Sequence, residues 1–303
     1  MNIDLDRLST FIRLAQEGSF TASGKSLRKS QSAISLQIAG LERQFGLQLI
    51  DRSTRPIQLT EAGQLFLQFS TQIVNQTADF ERTMSELARG VSGEVKIGAT
   101  TSVGAYLLPP IAGELTKTYP KLSITIVSLP QSSVLASVRA SAVDFAFILS
   151  DRMPADLKVT TLKREPLWFV SSPENTLVKK SPLTMADLKS LPFIVGLQGD
   201  QYTGMMESIL EERRFPKVPI AMRIGNYEGI KRAACAGIGI AILPEFTIQN
   251  EIRNGSLVRI GIENVSLSAR IMLVERPQAL QRPTATSAKS YISAAISKPQ
   301  TPS

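Results

Sequence analysis

The apolar positions of the first 45 residues fall into three helical segments. The first segment stops at Gly18, which suits the left-handed conformation that closes a helix. Ser19 and Ser30 offer N-cap oxygens for a second segment, residues 21–27, and for a third that runs to Gly46. A turn of about three residues between the second and third segments is typical of a helix-turn-helix. The apolar residues at helical spacing are Leu8, Phe11, Ile12, Ala15, Ala33, Ile34, Ile38, Leu41 and Phe45.

Short polar side chains occupy the other face of the third segment. Gln31, Ser32 and Ser35 lie near its start, and Gln37 follows one turn on. Glutamine can pair with adenine through two hydrogen bonds, and serine can bond to several bases, so these residues are predicted to contact base edges. The Ser30 hydroxyl and the free amides at the helix start could hold a phosphate. Two alternatives stay open, since Gln31 could contact a phosphate and Ser35 could bond to its own helix.

Residues 25–60 contain six basic and two acidic side chains. This excess of positive charge predicts attraction to a polyanion. The apolar alternation at 47–50 and again at 57–60 predicts two strands joined by a turn at 52–56. Pro56 holds Arg55 at the tip of this hairpin, where the arginine could enter a minor groove or remain solvated. The bases are Lys25, Arg28, Lys29, Arg43, Arg52 and Arg55, and the acids are Glu42 and Asp51.

The segments GSFTASGKSL, SQSAISLQIAGLERQFGLQL and DRSTRPIQLTEAG resemble, in order and spacing, the LysR-type transcriptional regulators. The resemblance covers about residues 4–64. It implies a winged helix-turn-helix that binds double-stranded DNA, with Lys29 and Arg52 among the contacts. Ser32 stands where the family often has proline, and Leu36 stands where arginine is common. Ser23 and Gly24 replace two alanines, so the base contacts are expected to differ from the usual pattern.

A long helix is predicted from Glu61, because no proline occurs before Pro109 and apolar residues recur at near-heptad spacing. The resemblance implies that two such helices pair antiparallel in a homodimer or a dimer of dimers. The region of Thr77 interrupts the stripe, so packing onto the chain itself is the alternative. Gly90, Ser92 and Gly93 predict a flexible joint. The stripe consists of Phe66, Phe69, Ile73, Phe80, Met84 and Leu87.

Short apolar runs alternate with helical stretches such as 106–118 and 205–213 after Val95, which predicts an α/β fold with mostly parallel strands. The resemblance implies a two-lobed effector domain like the type 2 periplasmic binding proteins. The predicted fold class is therefore an α+β multidomain protein. Its predicted parts are the winged helix-turn-helix at 1–60, the linker helix and hinge at 61–92, and the effector domain at 93–303. Lobe one would comprise about 93–163 and 270–303, and lobe two about 164–269.

Hydroxyl side chains follow the first strand of this region. Thr100, Thr101 and Ser102 precede a helix, and ligands in such folds lie at the carboxyl ends of strands, beside the free amides of helix N-termini. They could hold a small anion, or they could simply cap the helix. The resemblance also places further residues at the cleft. Gln131 would follow the second strand, Phe147 would end the third, and Gln198, Tyr202 and Thr203 would follow a strand of lobe two, with Tyr227 and Ile242 as secondary candidates.

Composition narrows the chemistry. The 303 residues include no histidine and one cysteine, which excludes a Ser-His-Asp triad and, in practice, a structural zinc site, so we predict neither enzyme activity nor a cofactor. The net charge of +8 favours a polyanionic partner. No apolar stretch is long enough for a membrane span and no signal peptide is evident, which predicts a cytoplasmic protein. Redox sensing by Cys235 and a dinucleotide loop at 237–239 are weak alternatives to ordinary packing.

The sequence therefore predicts a sequence-specific transcription regulator whose operator is an interrupted palindrome and whose activity depends on a small effector. RNA polymerase is a candidate partner, and a membrane is not. Three alternative functions remain. The chain could be a solute-binding protein, an enzyme such as a porphobilinogen-type deaminase, or a related regulator that has lost effector sensing.

Overall fold

The structure is a computed structural model that describes residues 4–54, 56–89, 92–175, 182–198, 201–277 and 282–298. It divides into two compact units. The first is built mainly from helices α1 (Leu5–Glu17), α2 (Phe20–Leu27), α3 (Gln31–Phe45) and α4 (Glu61–Arg89), with the short strands β1 (Ile50–Asp51) and β2 (Gln58–Leu59). The second contains the remaining sheets and helices.

The caps predicted from sequence delimit the first three helices. Gly18 and Gly46 close α1 and α3 with φ angles of 61° and 68°. The side chains of Ser19 and Ser30 accept hydrogen bonds from Ala22 N and Ala33 N at the starts of α2 and α3. These local signals fix the helix boundaries, so the helix-turn-helix prediction is confirmed. Its apolar core consists of Phe11, Leu14, Ile34, Ile38, Leu41, Leu49 and Ile50.

The hairpin that follows α3 has shorter strands than the sequence predicts. Ile50 pairs with Leu59, and Asp51 pairs with Gln58. The Glu42 carboxylate accepts hydrogen bonds from the backbone amides of Leu49 at 3.0 Å and of Ile50 at 3.3 Å. Because a side chain satisfies these amides, the backbone before Ile50 needs no strand partner. We call this hairpin the wing.

The long helix α4 begins in close contact with the wing. A Cβ atom at Gly63 would lie 1.9 Å from the backbone oxygen of Leu49, so only glycine fits there. Phe66 packs edge-on against Phe11 and Phe45, with ring centroids 4.9 Å and 5.5 Å apart. The sequence places Phe66 in the apolar stripe of this helix and leaves packing onto the chain itself as the alternative; for Phe66 the structure shows that alternative, because its ring packs against the core of the helix-turn-helix.

The second unit contains a seven-stranded sheet of order β10-β6-β11-β5-β3-β4, with β9 paired to β6, and a separate parallel pair, β7-β8. The strands are β3 (Gly93–Thr100), β4 (Leu122–Leu129), β5 (Phe145–Ser150), β6 (Lys158–Ser171), β7 (Phe193–Val195), β8 (Ile220–Arg223), β9 (Ala241–Pro244), β10 (Val258–Ile260) and β11 (Leu267–Glu275). The helices are α5 (Leu108–Thr118), α6 (Gln131–Arg139), α7 (Gln201–Glu212), α8 (Tyr227–Cys235), α9 (Glu245–Arg253) and α10 (Pro283–Ser297).

The two long strands β6 and β11 join two lobes. Lobe one is built on β3, β4 and β5, and lobe two on β7, β8, β9 and β10. β3 runs parallel to β4 and β5, whereas β6 runs antiparallel to β9, β10 and β11. The prediction of mostly parallel strands therefore fails around β6, because a strand that crosses between lobes pairs with others running the opposite way. The predicted lobe boundaries at 163/164 and 269/270 fall inside β6 and β11, and they stay predictions.

The helix after β3 begins earlier than predicted and contains a wide turn. Helical backbone starts at Thr101, and residues Val103–Leu107 form a π-helical turn before α5. The backbone N–H of Leu108 bonds to the carbonyl of Val103, and Pro109 and Pro110 are the second and third residues of α5. Proline has no N–H to donate, which accounts for the loss of regular α-helical bonding at this point.

Candidate nucleic-acid interface and ligand cleft

The start of α3 presents an accessible polar face. Gln31 and Ser32 are exposed, and Ser35 is half-buried. These three positions span about 100° of the helix circumference, so they share one side. The Ser30 hydroxyl lies 2.9 Å from that of Ser32, and the Thr21 hydroxyl lies 3.4 Å from Gln31 Oε1. The structure thus places the predicted base-contacting residues together and leaves the Gln31 amide open to an external partner.

A large apolar side chain borders this polar face. Leu36 is 73% exposed, and it follows Ser35 around the same side of α3. Sequence reasoning noted the residue only as a departure from the family pattern and did not include it among the site residues. Its exposure makes it a candidate for apolar contact with a base.

Lys29 and Gln37 are held by a carboxylate of their own unit. Lys29 Nζ lies 2.6 Å from Asp6 Oδ2, and Gln37 Nε2 donates to the same oxygen at 2.8 Å. The hydrogen bond from Lys29, followed by that from Gln37, lowers the pKa of Asp6 below its usual value. The structure therefore favours a positioning role for both residues, because Lys29 anchors the turn before α3 to α1 and Gln37 anchors α3 itself to α1. Sequence spacing gave no signal of Asp6, because its partners are 23 and 31 positions away.

The wing carries the remaining predicted contacts. Arg52 Nη2 lies 3.0 Å from Glu42 Oε2, and its guanidinium carbon lies 5.8 Å from the centroid of the Phe20 ring. About half of the Arg52 side chain remains exposed, so it can still meet a phosphate. Pro56 is exposed, and Arg55 lies outside the described residues.

The cleft between the two lobes is lined by five of the predicted effector residues. Thr100 ends β3, Thr101 starts the next helix and Gln131 starts α6, whereas Tyr202 and Tyr227 reach the cleft from α7 and α8 of lobe two. The pocket between these residues has a volume of about 50 Å³, which leaves space for a few water molecules. The described lining residues are Thr100, Thr101, Leu129, Pro130, Gln131, Leu149, Tyr202, Met205 and Tyr227.

The polar groups of the cleft are neutral. Thr100 Oγ1 accepts a hydrogen bond from Leu149 N at 3.1 Å, and Gln131 Nε2 donates to a serine hydroxyl at 3.2 Å. The Tyr202 hydroxyl donates to the carbonyl of Ile242, and its ring centroid lies 4.3 Å from that of Tyr227. No charged side chain occurs among the described residues that line the cleft. A ligand here would meet hydroxyls, an amide and aromatic rings.

Several predicted residues lie away from this cleft. Phe147 is fully buried in the middle of β5, so the expectation that it ends its strand was wrong. Gln198 is exposed and lines neither this cleft nor the larger cavity of lobe two. Thr203 and Ile242 line that larger cavity. Ser102 is 1% exposed, and its hydroxyl has no hydrogen-bond partner within the described part of the chain.

Four lining residues were missed by sequence reasoning. Leu129 and Pro130 stand at the end of β4, Leu149 near the end of β5, and Met205 in the first half of α7. The rule that ligands bind at the carboxyl ends of parallel strands would have found the first three, had it been applied to apolar as well as polar residues. Met205 follows Tyr202 by one helical turn.

An ion-pair cluster connects the lobes beside the cleft, and we call it the latch. The Tyr106 hydroxyl, from lobe one, donates to Glu228 of α8 in lobe two. Lys231 Nζ lies 3.1 Å from Glu228, 2.8 Å from Glu251 and 4.8 Å from the centroid of the Tyr106 ring. Arg232 also pairs with Glu228, at 2.9 Å. These contacts link the two lobes at this side of the cleft.

The charges of the latch are stable near neutral pH. The Tyr106 hydroxyl, together with the basic neighbours, lowers the pKa of Glu228 to about 2. Burial lowers the pKa of Lys231, but its bonds to Glu251 and Glu228 outweigh burial and raise that pKa above its usual value. Burial raises the pKa of Tyr106. Tyr106, Glu228 and Lys231 therefore keep one charge state across the physiological range.

The weak alternatives gain no support from geometry. Burial raises the pKa of the Cys235 thiol, which disfavours the reactive thiolate. Gly239 packs within contact distance of the Pro192 backbone and precedes β9, unlike a dinucleotide loop, which follows its strand. Among the described helices, none combines the length and apolarity needed to cross a membrane.

Two family models match most of the chain. Residues 5–64 match the bacterial regulatory helix-turn-helix protein of the lysR family, and residues 88–295 match the LysR substrate binding domain. The boundaries of the two matches leave most of α4 between them.

Individual proteins agree with both matches. The uncharacterized HTH-type transcriptional regulator YwqM of Bacillus subtilis (strain 168) is 29% identical over 257 residues, which cover 84% of this chain and 87% of YwqM. The crystal structure of ArgP from Mycobacterium tuberculosis is similar with a TM-score of 0.74 at 20% identity, over 98% of both chains. Full-length CbnR complexed with its target DNA gives a TM-score of 0.70 at 19% identity, over 97% of this chain and all of CbnR.

Proposed function

This chain belongs to the LysR family of bacterial helix-turn-helix transcription regulators, and from that premise we propose how it reads DNA and how an effector controls it. The protein is a DNA-binding regulator with a C-terminal substrate-binding domain. We infer that α3 enters the major groove of an interrupted palindrome. The observation that carries this inference is the exposed face of α3, where hydrogen-bonding side chains lie together on a helix whose N-cap is already satisfied.

Gln31 and Ser32 are the proposed readers of base edges, with Ser35 beside them. Gln31 is exposed and reaches outward from the first turn of α3, where recognition helices meet bases. Leu36, on the same face, suits the methyl group of a thymine. The Ser30 hydroxyl is already engaged by Ala33 N and Ser32, so its proposed role is to hold the helix start.

Lys25, Arg28 and Arg43 are exposed and supply attraction to phosphates. Arg52, steered by Glu42, contributes from the wing. The proposal that Arg55 and Pro56 approach a minor groove rests on sequence.

The exposed apolar face of α4 supports a homodimer, and a dimer of dimers would need further surfaces besides this one. Leu65, Phe69, Ile73, Phe80 and Met84 are 41–57% exposed and lie at helical spacing along one stripe. Stripes of this kind are normally covered, and pairing with the same helix of a second copy covers both. Two copies would present two recognition helices to two half-sites.

The interlobe cleft is the proposed effector site. It offers hydroxyls and the start of a helix, which favour a small anion that needs no cationic side chain. Thr101, which lines the cleft at the start of this helix, is the proposed contact, and the neighbouring Ser102 is buried behind it. Because the pocket of about 50 Å³ is small for such a ligand, we infer that binding separates the lobes at the latch, which would couple the effector to the arrangement of the lobes.

The remaining parts of the proposal concern the cell. We infer that regulation proceeds without catalysis, in the cytoplasm, and that RNA polymerase is contacted at the promoter. These inferences follow from the family and not from a site in the described residues.

The test of DNA recognition is Gln31→Ala, measured by fluorescence anisotropy with upstream DNA at fixed salt. Loss of a bidentate adenine contact costs about 1–3 kcal/mol, roughly a five-fold to 150-fold rise in Kd, and should relax preference at one base pair. Gln68→Ala, an exposed glutamine on α4, is the matched control. Unchanged affinity and preference in Gln31→Ala would remove α3 from the role of recognition helix.

The test of the effector site uses Thr101→Ala together with Ser102→Ala. A panel of sulfate, thiosulfate, phosphate and pyruvate is screened for a rise in melting temperature, since an anion at 100 times its Kd adds about 2.7 kcal/mol. The paired variant should lose that rise. Retention of the rise would place the anion elsewhere, and no rise with any metabolite would favour a regulator without effector sensing.

A further inference from the structure

A further pocket lies where the strands that join the lobes meet the end of α7. Its volume is about 260 Å³, and it shares no described lining residue with the interlobe cleft or with the larger cavity of lobe two. Three arginines line it, namely Arg164 of β6, Arg270 of β11 and Arg213, which directly follows α7. We call this space the arginine pocket.

Strand register holds two of these arginines side by side. Arg164 is the direct partner of Arg270 in the antiparallel pair β6-β11. Residues that lie opposite each other in this way share one face of the sheet, and like charges at such positions are destabilising. Ser268 lies two residues before Arg270 on the same strand, so its hydroxyl is on that face as well. An anion bound between the two guanidinium groups would relieve their repulsion.

The arginines have donors to spare. Arg164 and Arg213 are exposed, and neither side chain has a hydrogen bond or an ion pair within the described part of the chain. Arg270 is half-buried, and one of its nitrogens donates to the backbone carbonyl of Asp151. A guanidinium group has five N–H donors, so most of those of Arg270 remain for a ligand. Their forked arrangement matches the oxygens of phosphate and carboxylate groups.

The balance of charge favours an anion with two negative charges. The acids Asp151 and Glu212 also line the pocket, and Arg152 lies beside it, with Nε 3.7 Å from Asp151 Oδ2. The four arginines and the two acids together have a formal charge of +2. A phosphate monoester carries about −1.5 to −2 near pH 7, which neutralises this group, whereas a single carboxylate neutralises only half of it.

The size of the pocket limits the rest of the ligand. Pockets for drug-sized molecules have volumes of about 300–1,000 Å³, and the arginine pocket is smaller than these. The molecule that carries the phosphate is therefore itself small.

We propose that the arginine pocket is a second ligand site, which binds a small phosphate monoester through Arg164, Arg213 and Arg270. This proposal does not rest on an effector in the interlobe cleft. Asp151 directly follows β5 of lobe one, whereas Glu212 and Arg213 belong to the end of α7 in lobe two. A ligand here contacts elements of both lobes and the strands that join them, so it stabilises one arrangement of the lobes without entering the cleft.

The experiment measures binding of glycerol 3-phosphate to the full chain by isothermal titration calorimetry, with glycerol as the uncharged comparison. We expect one site per chain, and weaker binding as salt is added. Arg213→Gln should weaken binding about ten-fold, because a hydrogen bond between charged groups is lost. The adjacent Glu212→Gln should strengthen binding about two-fold to three-fold, because it removes a like charge. Opposite effects at two neighbouring exposed positions cannot arise from a loss of folding.

The matched control is Arg253→Gln, which removes an exposed arginine from the last turn of α9 and should leave binding unchanged. Equal weakening in Arg253→Gln and Arg213→Gln would reduce the effect to net charge and overturn the site. Absence of saturable binding, or undiminished binding in both Arg164→Gln and Arg213→Gln, would also overturn it. Loss of binding in the paired variant Thr101→Ala and Ser102→Ala, with full binding in Arg213→Gln, would assign the phosphate to the interlobe cleft instead.

Discussion

Replacing Leu36 by alanine should weaken operator binding only where the base beside it is thymine. Leu36 is 73% exposed in the free protein. Complete burial of a leucine contributes about 1.5–3 kcal/mol, so the exposed part can supply at most about 2 kcal/mol. A contact in the groove covers about half of that surface, which gives about 1 kcal/mol, or roughly a five-fold rise in Kd.

The assay is a double-mutant cycle between protein and DNA. Wild type and Leu36→Ala are titrated by anisotropy, at one salt concentration, against operators in which single thymines are replaced by uracil, which lacks the methyl group. At one position the Leu36→Ala penalty should disappear. Leu5→Ala removes another exposed leucine, from α1, and should change nothing. A penalty of equal size on every uracil-substituted operator would refute a methyl contact.

Three further changes test the helix-turn-helix, the latch and the start of α4. Asp6→Asn should lower stability by up to about 1 kcal/mol in urea unfolding, and adding Lys29→Met should cost little more, whereas additive losses would deny their coupling. Tyr106→Phe should lower the thermal stability of the unliganded protein by a constant amount from about pH 5.5 to pH 9. This difference should shrink as acid protonates Glu228 between its ordinary pKa of 4.5 and its folded pKa of about 2, and a difference that changes near pH 7 would contradict the assignment. Gly63→Ala should reduce both melting temperature and operator affinity, because its Cβ would overlap a backbone oxygen.

The matched control for the last change is Gly113→Ala. Gly113 lies in α5, and no atom lies within 4 Å of the position that a Cβ would take there, so alanine should stabilise the helix by about 0.5–1 kcal/mol. Equal effects at Gly63 and Gly113 would show that the contact between Gly63 and the wing does not determine melting temperature or operator affinity.

Local signals account for the parts of the fold that sequence predicts well. Gly18, Ser19, Ser30 and Gly46 act within one turn of the chain, so their roles as caps follow from their position alone. The same holds for the polar face of α3, because its periodicity is local. This is why the helix-turn-helix could be placed to within a residue or two.

Contacts between distant segments account for the rest. Lys29 pairs with Asp6, and Phe66 packs on the core of the helix-turn-helix. Both contacts depend on how the helices pack, and spacing along the chain does not encode them. Phe147 and Thr203 illustrate the limit in the effector domain. The sequence places each near a strand or helix end, but side-chain direction decides whether a residue lies in the cleft, in the core or at the larger cavity of lobe two.

The close contact between Gly63 and Leu49 joins the helix-turn-helix and the beginning of α4 into one rigid arm. The 29 residues of α4 extend over about 43 Å. A change of about 5° in the direction of such an arm displaces its far end by about 4 Å, close to the roughly 3.4 Å rise of one base pair. In a dimer with two arms of this length, a small change in the angle of the arms would change the distance between the two recognition helices by about one base pair. Such a change would suffice to exchange one half-site spacing for another.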